Sequence, residues 1–327
     1  EQNITHAPGM EHVREMVTGP IIPPPGAVME CTKLLYEYLG DLIVLDVGGA
    51  PTDLHSVTVE SDQVARLMIS PEPKAMRTVE GDLGVYVNRW KVVESIGEEK
   101  LREQCREQGF SMEHALETYR AIPKTEEEVK LVELLTREAV VKAAERHAGR
   151  LRYIYGPSGR STVAEGKDLT QVKYIVGTGG ALTRLPHREE IMREITRCNE
   201  SGMLLLPGEH AQILVDHDYI MASLGVLSKR YPQAAARLLE QSLGITFPER
   251  KAEEPVPVCN KELSRLETQR QQREEELQRH IEECEAMGYD MSAYRENKPK
   301  AGDCSHECSR CTRLHCPNRT TQEGASS

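Results

Sequence analysis

The amino-acid order predicts an α/β fold with a mixed sheet, and three observations carry that reading. The run Asp41-Leu-Ile-Val-Leu-Asp-Val-Gly-Gly-Ala-Pro-Thr-Asp53 is an apolar strand entering a glycine turn, and Leu54-His-Ser-Val-Thr-Val59 resumes as an alternating strand. A second apolar strand, within Gln171-Val-Lys-Tyr-Ile-Val-Gly-Thr-Gly-Gly-Ala181, runs into another glycine turn. Between them, Thr125-Glu-Glu-Glu128 is a capping box opening a long helix through His147. Val129, Leu131, Val132, Leu135, Ala139, Val140 and Ala143 give that helix a broad apolar face for covering a sheet.

In the first turn, Gly48 and Gly49 can take backbone angles closed to other residues. Successive turn N–H groups can then cradle an anion. Asp46 and Asp53 become candidate catalytic residues that hold a hydrated Mg²⁺ or orient a water, and Thr52 a candidate donor to phosphate. A plain Asp-Gly-Gly hairpin is the competing reading. His55, just beyond, either faces the same cleft or is a structural histidine. In the second turn, Gly177, Thr178, Gly179 and Gly180 precede Leu182-Thr-Arg-Leu-Pro-His-Arg-Glu-Glu-Ile-Met192, whose spacing is helical with Pro186 near its start. Strand, glycine turn and helix N-terminus form a nucleotide-binding corner. The turn lacks G-x-G-x-x-G and no Walker lysine follows, so neither a Rossmann nor a P-loop reading fits.

Other segments are less specific. Pro23 to Gly40 and Asp218 to Leu227 have the spacing of amphipathic helices, the latter with small residues at Ala222 and Gly225. Strand Leu151–Tyr155 and the turn Gly156–Gly159 follow the long helix, and Arg160 and Lys167, ahead of the second turn, are either solvated charges or groups that approach a nucleotide. Arg77-Thr-Val-Glu-Gly-Asp-Leu-Gly84 is either a salt-bridged turn or a surface presenting Arg77, Glu80 and Asp82 to a lobe or partner.

Two strand–glycine corners in this order, with a candidate connecting helix before each lobe crossing, resemble the actin/Hsp70/sugar-kinase ATPase superfamily. Within it the wording is similar to the accessory protein family of coenzyme B12-dependent glutamate (methylaspartate) mutase, the MutL/GlmL type. Ala7-Pro-Gly-Met10, the run from Asp46 to Val57, Arg77 to Gly84, Gly166-Lys-Asp-Leu-Thr170 and the run from Val176 to Thr183 carry the likeness. The resemblance implies an actin-like (ribonuclease H-like) ATPase lobe that binds ATP and Mg²⁺ and serves mutase subunits. It implies phosphate contacts at Gly48, Gly49 and Thr52, and adenosine contacts at Gly177, Thr178, Gly179 and Gly180. Pro51 departs from the family, which usually has Thr there, and proline removes one N–H from the cradle. The superfamily's first hairpin, D-x-G-x-T, is not found before Asp41, so the cleft is expected to have one wall and hydrolysis to need the other. The expected organisation is 1–40 as remnant of lobe I and connecting helix, 41–250 as lobe II, 251–300 as charged linker and helix, and 301–327 as a cysteine-rich tail.

A net charge of −11 argues against a nucleic-acid binder, and no apolar run is long enough to span a membrane. Scattered single cysteines suit a cytoplasmic setting. The tail places Cys304, Cys308, Cys311 and Cys316 in C-x₃-C-x₂-C-x₄-C spacing, which suits tetrahedral Zn²⁺ or an iron–sulfur cluster. Three functions follow as expectations: an ATPase-like reactivating accessory of a B12 mutase, a hydantoinase/oxoprolinase-type enzyme component, or a non-hydrolysing metal-binding interaction protein.

Overall fold

The computed structural model describes residues 21–156, 159–199, 201–248 and Arg279. The chain divides into two units, Glu1–Arg250 and Lys251–Ser327. The linker, the charged helix and the tail cysteines expected beyond residue 250 lie outside the described residues, as do Ala7 to Met10.

The first unit is a mixed α/β structure around a five-stranded sheet. Helix α1 (Pro24–Leu39) starts with prolines in its first turn and stops at Gly40, whose φ of 77° favours glycine. Strands β1 (Leu42–Val47), β2 (Thr52–Val57) and β3 (Ala75–Glu80) form an antiparallel meander. The short helix α2 (Asp62–Ala65) lies between β2 and β3. Helices α3 (Arg89–Ile96), α4 (Glu98–Glu107), α5 (Met112–Glu117) and α6 (Glu126–His147) follow. The expected capping box at Thr125 and Glu128 is formed in both directions. Strands β4 (Arg150–Gly156) and β5 (Gly159–Glu165) pair as a separate hairpin. Strand β6 (Tyr174–Thr178) then returns parallel to β1, and β7 (Gln212–Val215) parallel to β6, giving the order β3-β2-β1-β6-β7.

The remaining helices are α7 (Gly179–Arg184), α8 (Arg188–Arg193), α9 (Met221–Ser228) and α10 (Pro232–Leu243). The single helix expected over Leu182–Met192 is thus two. Leu185, ahead of Pro186, adopts extended backbone (φ −66°, ψ 140°), because proline disfavours the helical region for the residue before it.

Helices cover both faces of the sheet. Ile43, Leu45, Val47, Leu54 and Ile175 pack with Leu131, Leu135 and Ala139 of α6 on one side. Leu42, Val44, Val57 and Val176 pack with Leu35, Leu224 and Leu239 of α1, α9 and α10 on the other. Double coverage explains why Leu42 to Leu45 is an unbroken apolar run rather than an alternating one. Where α9 crosses α1, a Cβ on Gly225 would sit 1.8 Å from the Ala27 carbonyl oxygen, so only glycine fits this crossing. Gly225, one of the small residues noted in that segment, thus permits the close crossing.

Candidate functional site

Burial along β1 is broken at Asp46, which is half-buried at the strand's C-terminal end. The register sets Asp46 opposite Asp53 of β2 on one side and beside Thr178 of β6 on the other. Like charges directly opposed across a strand pair are unfavourable. Burial, reinforced by Asp53 and then Asp216, pushes the Asp46 carboxyl up to about 6. Burial also raises Asp53, against the opposing pull of Arg77. Asp53 Oδ1 is buried with no hydrogen-bond partner among the described residues.

The second turn lies directly against this pair. Gly179 has φ 83°, and a Cβ there would meet Asp46 Oδ1 at 2.5 Å and the Val47 backbone at 2.6 Å. Gly177 is packed under Met192, whose Sδ would be 2.6 Å from an added Cβ, whereas Gly180 is exposed with open space around it. The Thr178 hydroxyl is buried and donates to Asp216 Oδ2 at 2.9 Å. Of the four expected adenosine-turn residues, Gly179 lies against Asp46, Thr178 is tied to Asp216, Gly180 is open and Gly177 serves packing.

The first turn is organised differently from expectation. Neither Gly48 nor Gly49 has a positive φ. The Gly48 N–H donates to the Pro51 carbonyl at 3.1 Å, closing the turn. The Gly48 and Gly49 carbonyls accept from Val85, Tyr86 and Val87. Thr52 is buried and its hydroxyl donates to the Leu83 carbonyl at 2.8 Å, so it does not point at a ligand. Leu83 thus takes the Thr52 hydroxyl and Pro51 the Gly48 N–H, two donors that sequence assigned to phosphate, leaving Gly49 and Ala50 as the exposed tip.

Sequence reasoning missed two residues of the site. Asp216, immediately after β7, is fully buried and accepts from Thr178, from Ser242 Oγ at 2.6 Å, and from the Ile220 and Met221 N–H groups entering α9. Tyr219 is the one non-glycine residue with positive φ (55°) among those described, and its phenol is raised by burial, then by Asp46 and Asp216. Backbone held in such a region tends to mark functional sites. An available signal was the apolar run Ile213 to Val215 ending in an aspartate, the pattern already noted at Asp46.

Other expectations are settled elsewhere. His55 is fully buried, neither ring nitrogen has a partner among the described residues, and burial, then Arg77 and His147, depress it to about 3. Lys167 is no solvated charge: it is buried and donates to the carbonyls of Thr58, Pro73 and Lys74. The neighbouring Asp168 ties Ser61 to Thr170. The Gly166–Thr170 motif therefore locks the chain beside β2. Glu80 and Asp82 are bound by Arg146 of α6, the salt-bridged reading of that segment.

Among the described residues, no three histidine, cysteine or acidic side chains come close enough to chelate a bare metal ion. Mg²⁺ keeps most of its waters and takes only one or two carboxylates. Asp46 with the unpartnered Asp53 oxygen fits that requirement. A cavity of about 620 Å³ lined by Lys100, Arg137, Glu138, Glu194 and Cys198 shares no residue with the two turns. No helix among the described residues is long and apolar enough to cross a membrane.

Comparison with known proteins now decides the family, because the MutL protein family matches residues 1–243. The chain belongs to the MutL protein family. It is 33% identical over 254 residues to Protein MutL of Clostridium tetanomorphum, a match covering 74% of this chain and 55% of that protein. The chain thus spans about half the length of this curated MutL relative.

Proposed function

We propose that this chain is the nucleotide-binding lobe of an accessory protein for a coenzyme B12-dependent, glutamate-type mutase. Membership of the MutL family favours that role over a hydantoinase/oxoprolinase component. The observation that carries the nucleotide reading is the contact of Gly179 with Asp46: a positive-φ glycine at a helix start pressed against a raised carboxylate. A mixed sheet with both glycine turns at one end of β1 and β6 supports an actin-like lobe. In this reading Asp46 and Asp53 orient a hydrated Mg²⁺, and the bound ion supplies charge neutralisation for the phosphates. The turn around Gly179 receives the nucleoside side. Asp216 holds Thr178 against the start of α9, so a ligand at the turn and the α1–α9 crossing share one carboxylate. Lobe motion about that crossing would loosen a spent cofactor from its enzyme.

Thr52 and Pro51 support a second reading, a chain that binds nucleotide without hydrolysing it. The Thr52 hydroxyl is occupied by Leu83 and Pro51 brings no N–H, so the phosphate side of the cradle is poor in donors.

Calorimetry of the complete natural protein with ATP·Mg²⁺ tests the proposal. Measurable affinity should fall at least tenfold in Asp46→Ala and in Gly179→Val. Absence of any ATP affinity in the wild type overturns the nucleotide reading and leaves an interaction protein. Affinity with no turnover selects the second reading.

A further inference from the structure

We infer that the β4–β5 hairpin is a docking arm for the acidic face of a protein partner. This inference takes only the partner's identity, the mutase, from the function proposed above. The hairpin is rooted at its base: Ala164 is fully buried with Val64 and Leu205, and Leu151 and Ala164 bond to Met203 and Leu67. Away from the base, Tyr153, Ile154 and Tyr155 are 47%, 52% and 79% exposed. Strand geometry puts Tyr153 and Tyr155 on one side of the ribbon and Ile154 on the other. The register sets Tyr155 opposite Arg160 and Tyr153 opposite Thr162. The Arg160 guanidinium lies over the Tyr153 ring at 4.4 Å, which pre-orders a Tyr-Tyr-Arg face.

A two-stranded ribbon standing alone is marginal in water, so exposed Tyr and Ile on such a ribbon point to a role outside its own folding. Tyr and Arg are the residues that most often carry binding energy at interfaces, while exposed aliphatics supply area. Charge selects the occupant. The hairpin strands carry Arg150, Arg152 and Arg160 against the single carboxylate Glu165, in a chain whose net charge is −11. Arg152 is held by Glu165 at 3.0 Å, and Arg160 and Arg150 remain exposed. A locally basic, aromatic arm on an acidic protein is complementary to an acidic surface. The overall charge disfavours nucleic acid as that surface.

The experiment uses the complete natural protein and purified glutamate mutase subunits. Binding is titrated at low and at raised salt, for wild type and for Tyr153→Ser/Tyr155→Ser/Arg160→Glu. These side chains are exposed, so the melting temperature should hold. The single exchange Arg160→Lys should retain most of the affinity if charge matters, and guards against a folding artefact. A Kd at least tenfold weaker in the triple variant, with wild-type binding weakened by salt, supports the arm. Wild-type binding with an unchanged triple variant overturns the arm but leaves the mutase reading standing. No wild-type binding overturns the mutase as the occupant, and with it the accessory reading. A hairpin already protected from hydroxyl-radical footprinting in the free protein overturns the arm, because the chain itself then covers it. Self-association or oligonucleotide binding lost in the triple variant would assign the surface to a second copy or to nucleic acid instead.

Discussion

The two glycine turns read alike in sequence and differ in what their glycines do. In the first, Gly48 and Gly49 have ordinary backbone angles, and an added Cβ would meet Pro51 O at 3.0 Å and Tyr86 Cβ at 3.3 Å. The turn is held by hydrogen bonds from the segment Val85–Val87. In the second, Gly179 combines positive φ with backbone and carboxylate at 2.5–2.6 Å. In the first turn an added Cβ would meet neighbours at 3.0–3.3 Å, whereas in the second no side chain fits at Gly179 although Gly180 is open. Glycine count therefore does not rank the importance of a loop. What opposes the missing Cβ does.

The largest expected effect isolates the second turn's support. Asp216→Ala strands Thr178, Ser242 and two N–H groups at once, and should cost about 4 kcal/mol, seen as a lower denaturation midpoint with unchanged slope. Thr52→Val, the matching deletion at the first turn, should cost about 1 kcal/mol. Equal losses would abolish the contrast.

Next comes Gly179→Ala. Left-handed backbone costs a non-glycine residue about 1–2 kcal/mol and overpacking about 1–3 kcal/mol. Together these lower the melting temperature by about 4–20 °C for a unit of this size. The same change at Gly49 should stay below about 1 kcal/mol, and is the smallest effect expected here.

Between these lies the carboxylate that separates the turns. Asp46 holds its proton more tightly in the folded state, near pH 6, than in the unfolded chain, near 3.9. Its contribution to stability is therefore fully present below about pH 4 and lost as pH rises through 6. Asp46→Asn should stabilise the protein by about 3 kcal/mol at pH 7.5 and leave stability at pH 4 nearly unchanged. Thermal melts at both values check this. Metal-dependent nucleotide binding by the wild type should fall about tenfold per unit below pH 6, whereas a pH-independent affinity would remove Asp46 from the metal site.

The chain's order by itself determined several of the elements. Apolar runs made β1 and β6, a reciprocal cap started α6, and glycines stopped strands where polar residues began, since these are effects of near neighbours. It also singled out Asp46 and Gly179, which the fold brings into contact, because a strand ending in carboxylate or glycine is a local pattern. Tertiary structure alone decided the rest. It buried Lys167 among three carbonyls and took the Thr52 hydroxyl for Leu83. It brought Asp216 and Tyr219 to Asp46, and pressed Gly179 onto a strand far away in the chain. The split of the helix after the second turn at Pro186, by contrast, follows a local rule that the apolar spacing had masked. Which hydroxyl, charge or backbone edge remains for a ligand depends on partners distant in sequence. Local pattern names candidates, and the packing of remote segments chooses among them.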